Sequence, residues 1–182
     1  MAGGAPTHVA FLRGINVGGK NVVPMKELAA IFTDAGCGAV RTYIQSGNVV
    51  FRATAALAKK LPSLVAARVE ERAGCKPPVV LRTREELERI VAGNPFLPRR
   101  PAEELHVYFL ADRPAAAAVA ALDSRRSPPD EFIARAGEIY LWLPNGMGRT
   151  KLTNAYFDSK LATVSTARNW RTTTTLLELL RG

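Results

Sequence analysis

The sequence predicts an α+β fold of two ferredoxin-like subdomains, each of βαββαβ type with a mainly antiparallel sheet. Three observations lead there. Over residues 7–83, short β-rich runs alternate with helical stripes in the order βαββαβ. A related order, βαββα, returns after residue 104. The two halves also share local sequence: His8-Val-Ala-Phe-Leu12 resembles His106-Val-Tyr-Phe-Leu110, and Gly47-Asn-Val-Val-Phe51 resembles Gly137-Glu-Ile-Tyr-Leu141, which points to internal duplication. With 182 residues, 47% of them hydrophobic, the chain is long enough to bury a core in each of two small subdomains, expected at 1–93 and 94–182.

Each element has a local reason. His8-Val-Ala-Phe-Leu-Arg13 is an apolar run closed by Gly14, a buried strand. Pro24 suits a first helical turn; Met25, Leu28, Ala29, Ile31 and Phe32 then form one stripe before Gly36 stops the helix. Val40 to Ile44 and Asn48 to Phe51 are β-rich and joined by Gln45-Ser46-Gly47, a hairpin turn in length and composition. Leu57 to Ala73 carries Leu61, Leu64, Val65 and Val69 on one face and ends at Gly74, with Pro62 expected in its opening turn or at a bend. Val79-Val80-Leu81 is the next strand. Thr83 and Glu86 form a capping box for the helix Arg84 to Val91.

Gly93-Asn94-Pro95-Phe96 breaks the chain, and Pro98 to Pro101, with Arg99 and Arg100 between them, reads as a linker. Strand Leu105 to Leu110, Ala-rich helix Pro114 to Leu122, strands Glu131 to Ala134 and Glu138 to Leu143, and a helix carrying Tyr156, Phe157 and Leu161 follow. Trp170 is expected in the core, and Thr172 is expected to cap the last helix.

The net charge is +9, a balance that favours acidic partners such as nucleic acid or phosphorylated ligands. Cys37 and Cys75 stand in no metal-ligand spacing and read as free thiols. The N-terminal residues lack the basic and long apolar regions of a secretion signal, and no apolar run reaches the ~20 residues that span a bilayer. A cytoplasmic protein without membrane contact, metal or cofactor is the expectation.

Two polar segments carry candidate chemistry. Gly14-Ile-Asn-Val-Gly-Gly-Lys20 follows a strand and matches the G-x-x-x-x-G-K frame of a phosphate cradle, although Asn21 stands where a Mg²⁺-binding hydroxyl would be needed. A looser anion-binding nest remains compatible with it, as does a tight structural turn. Gln45 and Asn48 lie at the nearby hairpin end, where polar groups also satisfy backbone. The C-terminal third groups Arg149, Lys151, Thr153 and Asn154, then Arg168, Trp170 and Arg171; guanidinium groups flanking an indole suit phosphate contact with base stacking. Caps and a buried Trp account for several of the same residues. His8 and His106 sit at strand starts with no acidic or thiol partner in sequence and read as packed residues.

Taken in order, Arg13-Gly-Ile-Asn-Val-Gly-Gly-Lys-Asn-Val-Val-Pro-Met25, Thr42-Tyr-Ile-Gln-Ser-Gly-Asn-Val-Val-Phe51, Asn94-Pro-Phe96, Lys151-Leu-Thr-Asn154 and Thr166-Ala-Arg-Asn-Trp170 resemble the bacterial family known as domain of unknown function 1697. The resemblance spans nearly the whole chain and implies an α+β fold with two related subdomains. It brings no assigned activity and no catalytic residues. The chain departs from the pattern at Ala162-Thr163, where Leu-Gly would be expected.

The first functional reading is a nucleic-acid or phosphate-ligand-binding protein that uses Arg149, Lys151, Arg168, Trp170 and Arg171, with Lys20 as a second contact. The alternative is a small-molecule enzyme with a polar pocket between the subdomains lined by Lys20, Gln45, Asn48, Lys151, Thr153 and Asn154. A third reading, an interaction protein whose basic surface serves solubility, also fits the composition.

Overall fold

The computed structural model describes residues 5–182. The chain divides into two compact units, the first running to Glu88 and including Thr175–Gly182, the second spanning Arg89–Thr174. The element order is β1 (His8–Leu12), α1 (Met25–Asp34), β2 (Gly38–Tyr43), β3 (Asn48–Arg52), α2 (Ala55–Ala73), β4 (Val79–Thr83) and α3 (Arg84–Ala92), followed by β5 (Leu105–Leu110), α4 (Ala116–Ala120), β6 (Glu131–Arg135), β7 (Glu138–Trp142), α5 (Asn154–Leu161), β8 (Ser165–Asn169) and α6 (Trp170–Arg181).

Each unit holds one four-stranded antiparallel sheet, ordered β2-β3-β1-β4 in the first and β6-β7-β5-β8 in the second. This is the ferredoxin-like strand order, made twice. The registers of β1 with β3 and β4 match those of β5 with β7 and β8, while β2 carries a bulge between Gly38 and Arg41 that β6 lacks. His8 stands opposite Phe51 and Thr83, and His106 stands opposite Leu141 and Asn169. The segments that look alike in sequence therefore occupy equivalent places, as duplication requires. The loops match as well: the Leu12 amide donates to the Gly47 carbonyl at 2.8 Å, and the Leu110 amide donates to the Gly137 carbonyl at 2.9 Å.

In the first unit, Ala10, Leu12, Val49 and Phe51 share one sheet face, as the two-residue strand period demands, and pack under Leu28, Ile31 and Phe32 of α1 and Leu61, Val65 and Val69 of α2. The Thr54 hydroxyl caps α2 by accepting from the Leu57 amide, and Gly74 closes it in the left-handed conformation at φ 69°. Pro62 lies in the interior of α2, not in the opening turn, one of the two places expected for it; the helix continues past a position that cannot donate to the Ala58 carbonyl. Pro24 is the residue preceding α1, not a member of its first turn. The capping box holds: the Thr83 amide donates to Glu86 at 2.8 Å and the Glu86 amide to the Thr83 hydroxyl at 3.2 Å.

In the second unit, Tyr108, Leu110, Ile139 and Leu141 pack with Leu152, Tyr156, Phe157 and Leu161. Three sequence expectations change here. Residues 165–169, read as a polar ligand-binding stretch, form β8 and complete the second βαββαβ unit. Their polar groups are used internally: the Ser165 amide and hydroxyl both donate to Asp158, and the Asn154 amide group donates to Ser165. Asn169, not Thr172, caps α6, its side chain accepting from the Thr172 amide at 2.8 Å. The Ala-rich helix is also shorter than expected, confined to Ala116–Ala120.

At the end of α5, Ala162 adopts the left-handed conformation with φ 50° and is solvent-exposed. An L-residue pays about 1–2 kcal/mol there, against about 0.5–1 kcal/mol for the extra chain entropy of glycine. Ala162→Gly is therefore expected to stabilise the protein by about 0.5–1 kcal/mol in urea unfolding; a variant less stable than the parent would contradict this account of the helix end.

Candidate functional site

The glycine loop between β1 and α1 is a small hairpin, not a phosphate cradle. Gly18 and Gly19 both have positive φ, 57° and 73°, and the Lys20 amide donates to the Val17 carbonyl at 3.0 Å, the pattern of a type I′ turn. A further rung runs from the Asn16 amide to the Asn21 carbonyl. In a phosphate loop the amides converge at the start of a helix; here α1 begins only at Met25, and the turn closes on itself. Lys20 stands exposed at the tip.

Asn16 fixes this hairpin in place. Its side chain donates to the Val23 and Gln45 carbonyls, both at 2.9 Å, and accepts from the Val23 amide at 2.8 Å. The glycine loop and the β2–β3 turn thus meet, which joins Lys20 and Gln45 in one loop pair. Gln45 offers its carbonyl inward while its residue is exposed. Asn48 is fully buried and donates to the Ser46 hydroxyl at 2.9 Å and to the Tyr43 carbonyl, so it holds the turn. Ile44, a β-branched residue, is kept at φ 49° with its side chain 51% exposed.

The remaining candidates lie in the second unit and separate into buried and exposed groups. Trp170 is 5% exposed, so no base can stack on it where it stands. Arg168 is buried, donates to the Thr166 hydroxyl and the Ala167 carbonyl, and has its pKa pushed down to about 10 by burial. Its equivalent in the first sheet, Arg82, donates in the same way to the Leu81 carbonyl. The Thr153 hydroxyl caps α5 by accepting from Tyr156, and Asn154 ties α5 to Ser165. Arg149, Lys151 and Arg171 are exposed.

Two of these cations have neighbours that the sequence did not connect with them. Arg126 donates to the Lys151 carbonyl at 3.0 Å and lies over the Tyr156 ring at 4.1 Å, while the Lys151 amide donates to the Ser127 hydroxyl at 2.9 Å. The segment containing Arg125 and Arg126 is thereby fastened to the segment containing Arg149 and Lys151. Thr150, between the two exposed cations, and Leu152, after Lys151, are buried, and the Tyr108 hydroxyl donates to the Leu152 carbonyl at 3.0 Å. The backbone alternation therefore turns Arg149 and Lys151 outward together. Among the described residues none of these four cations is in an ion pair.

Both histidines are partly enclosed by the fold. Burial lowers the pKa of His8, partly offset by Glu85 and Glu86, and the ring stacks on Phe51 at 5.6 Å. Burial likewise lowers the pKa of His106, against a hydrogen bond with the Glu104 backbone. Burial raises the Cys37 thiol to about 11, so it stays protonated near neutrality. Among the described residues no cluster of His, Cys, Asp or Glu could hold a metal ion, and no helix is long and apolar enough to cross a membrane.

A family model described as protein of unknown function (DUF1697) matches residues 6–140. The chain belongs to this family. The matched region takes in the glycine-loop hairpin, the β2–β3 turn and Asn94-Pro95-Phe96. No curated protein matches the chain. Among solved structures, that of the conserved bacterial protein SP0830 from Streptococcus pneumoniae is similar, with a TM-score of 0.72 and 22% identity over 98% of this chain and 100% of that one. At that identity the likeness is one of fold.

Proposed function

We propose that this DUF1697 protein binds nucleic acid through the phosphate backbone, using Arg125, Arg126, Arg149 and Lys151 of the second unit as the contact surface. The observation that supports the reading is the fastening of two basic segments by the Arg126–Lys151 and Lys151–Ser127 hydrogen bonds, which leaves side-by-side cations without carboxylate partners. The net charge of +9 adds long-range attraction of the same sign. Arg171 is a further exposed cation of the same unit; Arg168 and Trp170 serve the interior.

The experiment is a salt titration of single-stranded oligonucleotide binding by fluorescence anisotropy. Each cation that neutralises a single-strand phosphate adds about 0.7 to the slope of log K against log salt. Arg149→Ala/Lys151→Ala is expected to fold normally, since both residues are exposed, and to lower the slope by about 1.4. An unchanged slope, or no binding by the parent protein even at low salt, would overturn the proposal. Arg168→Ala is unsuited as a probe, because it empties a buried position.

A further inference from the structure

The duplication exposes a difference between the two units that neither sheet shows alone. In the first unit, the long connection from β1 to α1 turns back and buries Ile15 and Val23, at 1% and 2% exposure, in the cluster with Leu12 and Leu28. These side chains close the space beyond Leu12, between the sheet, α1 and the β2–β3 turn. Gly47 shows how tightly: a methyl group added to it would lie 3.0 Å from the Ile15 side chain.

The second unit has no such plug. Leu110 occupies the place of Leu12, and Ala136, at φ 51°, stands where the other hairpin has Ile44, at φ 49°. The connection from β5 to α4 is only residues 111–115, Ala-Asp-Arg-Pro-Ala, with no large apolar side chain to fold inward. Helix α4 buries none of its own residues, whereas α1 buries Leu28, Ile31 and Phe32. What remains is a cavity of about 330 Å³ with Leu110, Val119 and Ala134 in its walls and Arg113 and Arg135 beside them. Its volume falls in the range of small-molecule sites.

We infer that this cavity is a binding site for a small organic carboxylate with an aliphatic body, whose hydrocarbon part takes the place that Ile15 and Val23 fill in the first unit. The charge at the cavity fits that class. Arg113, exposed at the rim, is in no ion pair among the described residues, whereas Arg135 is turned to the Gly93 carbonyl at 3.0 Å on the face of β6 opposite Phe132 and Ala134 and leaves the charge at the cavity to Arg113. A guanidinium offers a planar pair of donors that matches a carboxylate, and the Leu, Val and Ala walls offer nothing polar to the chain behind it. The site is separate from the basic patch proposed for nucleic acid, and the two stand or fall independently.

Hexanoate is the probe, titrated to about 10 mM into the intact ¹⁵N-labelled protein, the range in which a ligand of so few atoms binds. Hexanol and inorganic phosphate are the comparators, carrying the chain without the charge and the charge without the chain. The expected result is saturable shifts confined to residues 110–120 and 134–137. Arg113→Ala should weaken hexanoate by about tenfold or more, as loss of a charge-assisted pair does. Ala120→Phe, an exposed helix position on the cavity wall, should abolish binding while leaving thermal stability unchanged. Failure of hexanoate to bind, equal binding of hexanol, equal competition by phosphate, or hexanoate binding that survives Ala120→Phe in a folded protein would each overturn the assignment.

Discussion

Gly47→Ala is expected to destabilise the protein by about 3 kcal/mol or more, whereas Gly74→Ala, at almost the same backbone angle, costs only about 1 kcal/mol. Both glycines are left-handed, at φ 70° and 69°. Both substitutions therefore carry the conformational penalty of an L-residue in that region. They differ in what the new methyl meets. At Gly74 nothing lies within 4 Å, since the residue ends α2 at the surface. At Gly47 the methyl would sit 2.9 Å from both the Leu12 Cβ and the Leu12 carbonyl oxygen, and 3.0 Å from Ile15. Leu12 cannot retreat, because its amide is bonded to the Gly47 carbonyl at 2.8 Å and its side chain is in the core. The clash is with backbone, so overpacking adds about 1–3 kcal/mol to the angular strain. Urea unfolding of the two variants measures the difference directly. Equal losses would mean that the β2–β3 turn yields and that the first unit is not closed as tightly as these distances require.

The same turn shows how far the sequence could be read. The strand His8 to Leu12, the hairpin about Gly47 and their counterparts about His106 and Gly137 were legible because short buried strands advertise themselves by apolar runs bounded by glycine. Their likeness in sequence corresponds to identical register of β1 with β3 and of β5 with β7. β8 was not legible, since Ser165-Thr-Ala-Arg-Asn has the composition of a ligand loop; only the positions of Asp158 and Asn154 show that its polar groups are satisfied within the unit. The glycine loop stayed open between two readings for a related reason. A phosphate cradle and a type I′ turn need the same residues, and what separates them is where the chain goes next.

The candidate surfaces follow the same rule. Exposed Arg149 and Lys151 could be named from sequence, but Arg125 and Arg126 could not be joined to them, because that pairing depends on Ser127 and Thr150 meeting across the fold. Residues chosen for their chemistry divided according to the faces they occupy. Asn48, Asn154, Arg168 and Trp170 went inward to organise turns, a helix start and the interior, leaving Lys20, Arg149, Lys151 and Arg171 at the surface. The cavity in the second unit left no mark in the sequence beyond a short connection and a run of alanines. It becomes visible only when one unit is laid on the other.

Phe157→Ala is expected to cost about 3–5 kcal/mol, the usual range for emptying a fully enclosed phenyl site. The ring is completely buried in the second unit and meets Tyr108, Phe132 and Tyr156 with centroid distances of 5.1, 5.6 and 5.2 Å. Its loss removes edge contacts to Tyr108 and Phe132 and a tilted contact to Tyr156 besides its own burial. Phe132→Ala should cost clearly less, because Phe132 is only partly buried. The variant also links stability to the proposed surface. Tyr108 carries the hydroxyl that anchors Leu152, and Tyr156 carries the ring beneath Arg126, so two of the contacts under the basic patch rest on Phe157. Hydrogen exchange at Leu152 should therefore quicken in Phe157→Ala at temperatures where the protein remains folded, while the first unit keeps its protection. If exchange quickens equally in β1 and β3, the two units share one cooperative transition and the loss is global. If Leu152 is unaffected, the patch is held by Ser127 and Thr150 alone, and Phe157 matters only to the core.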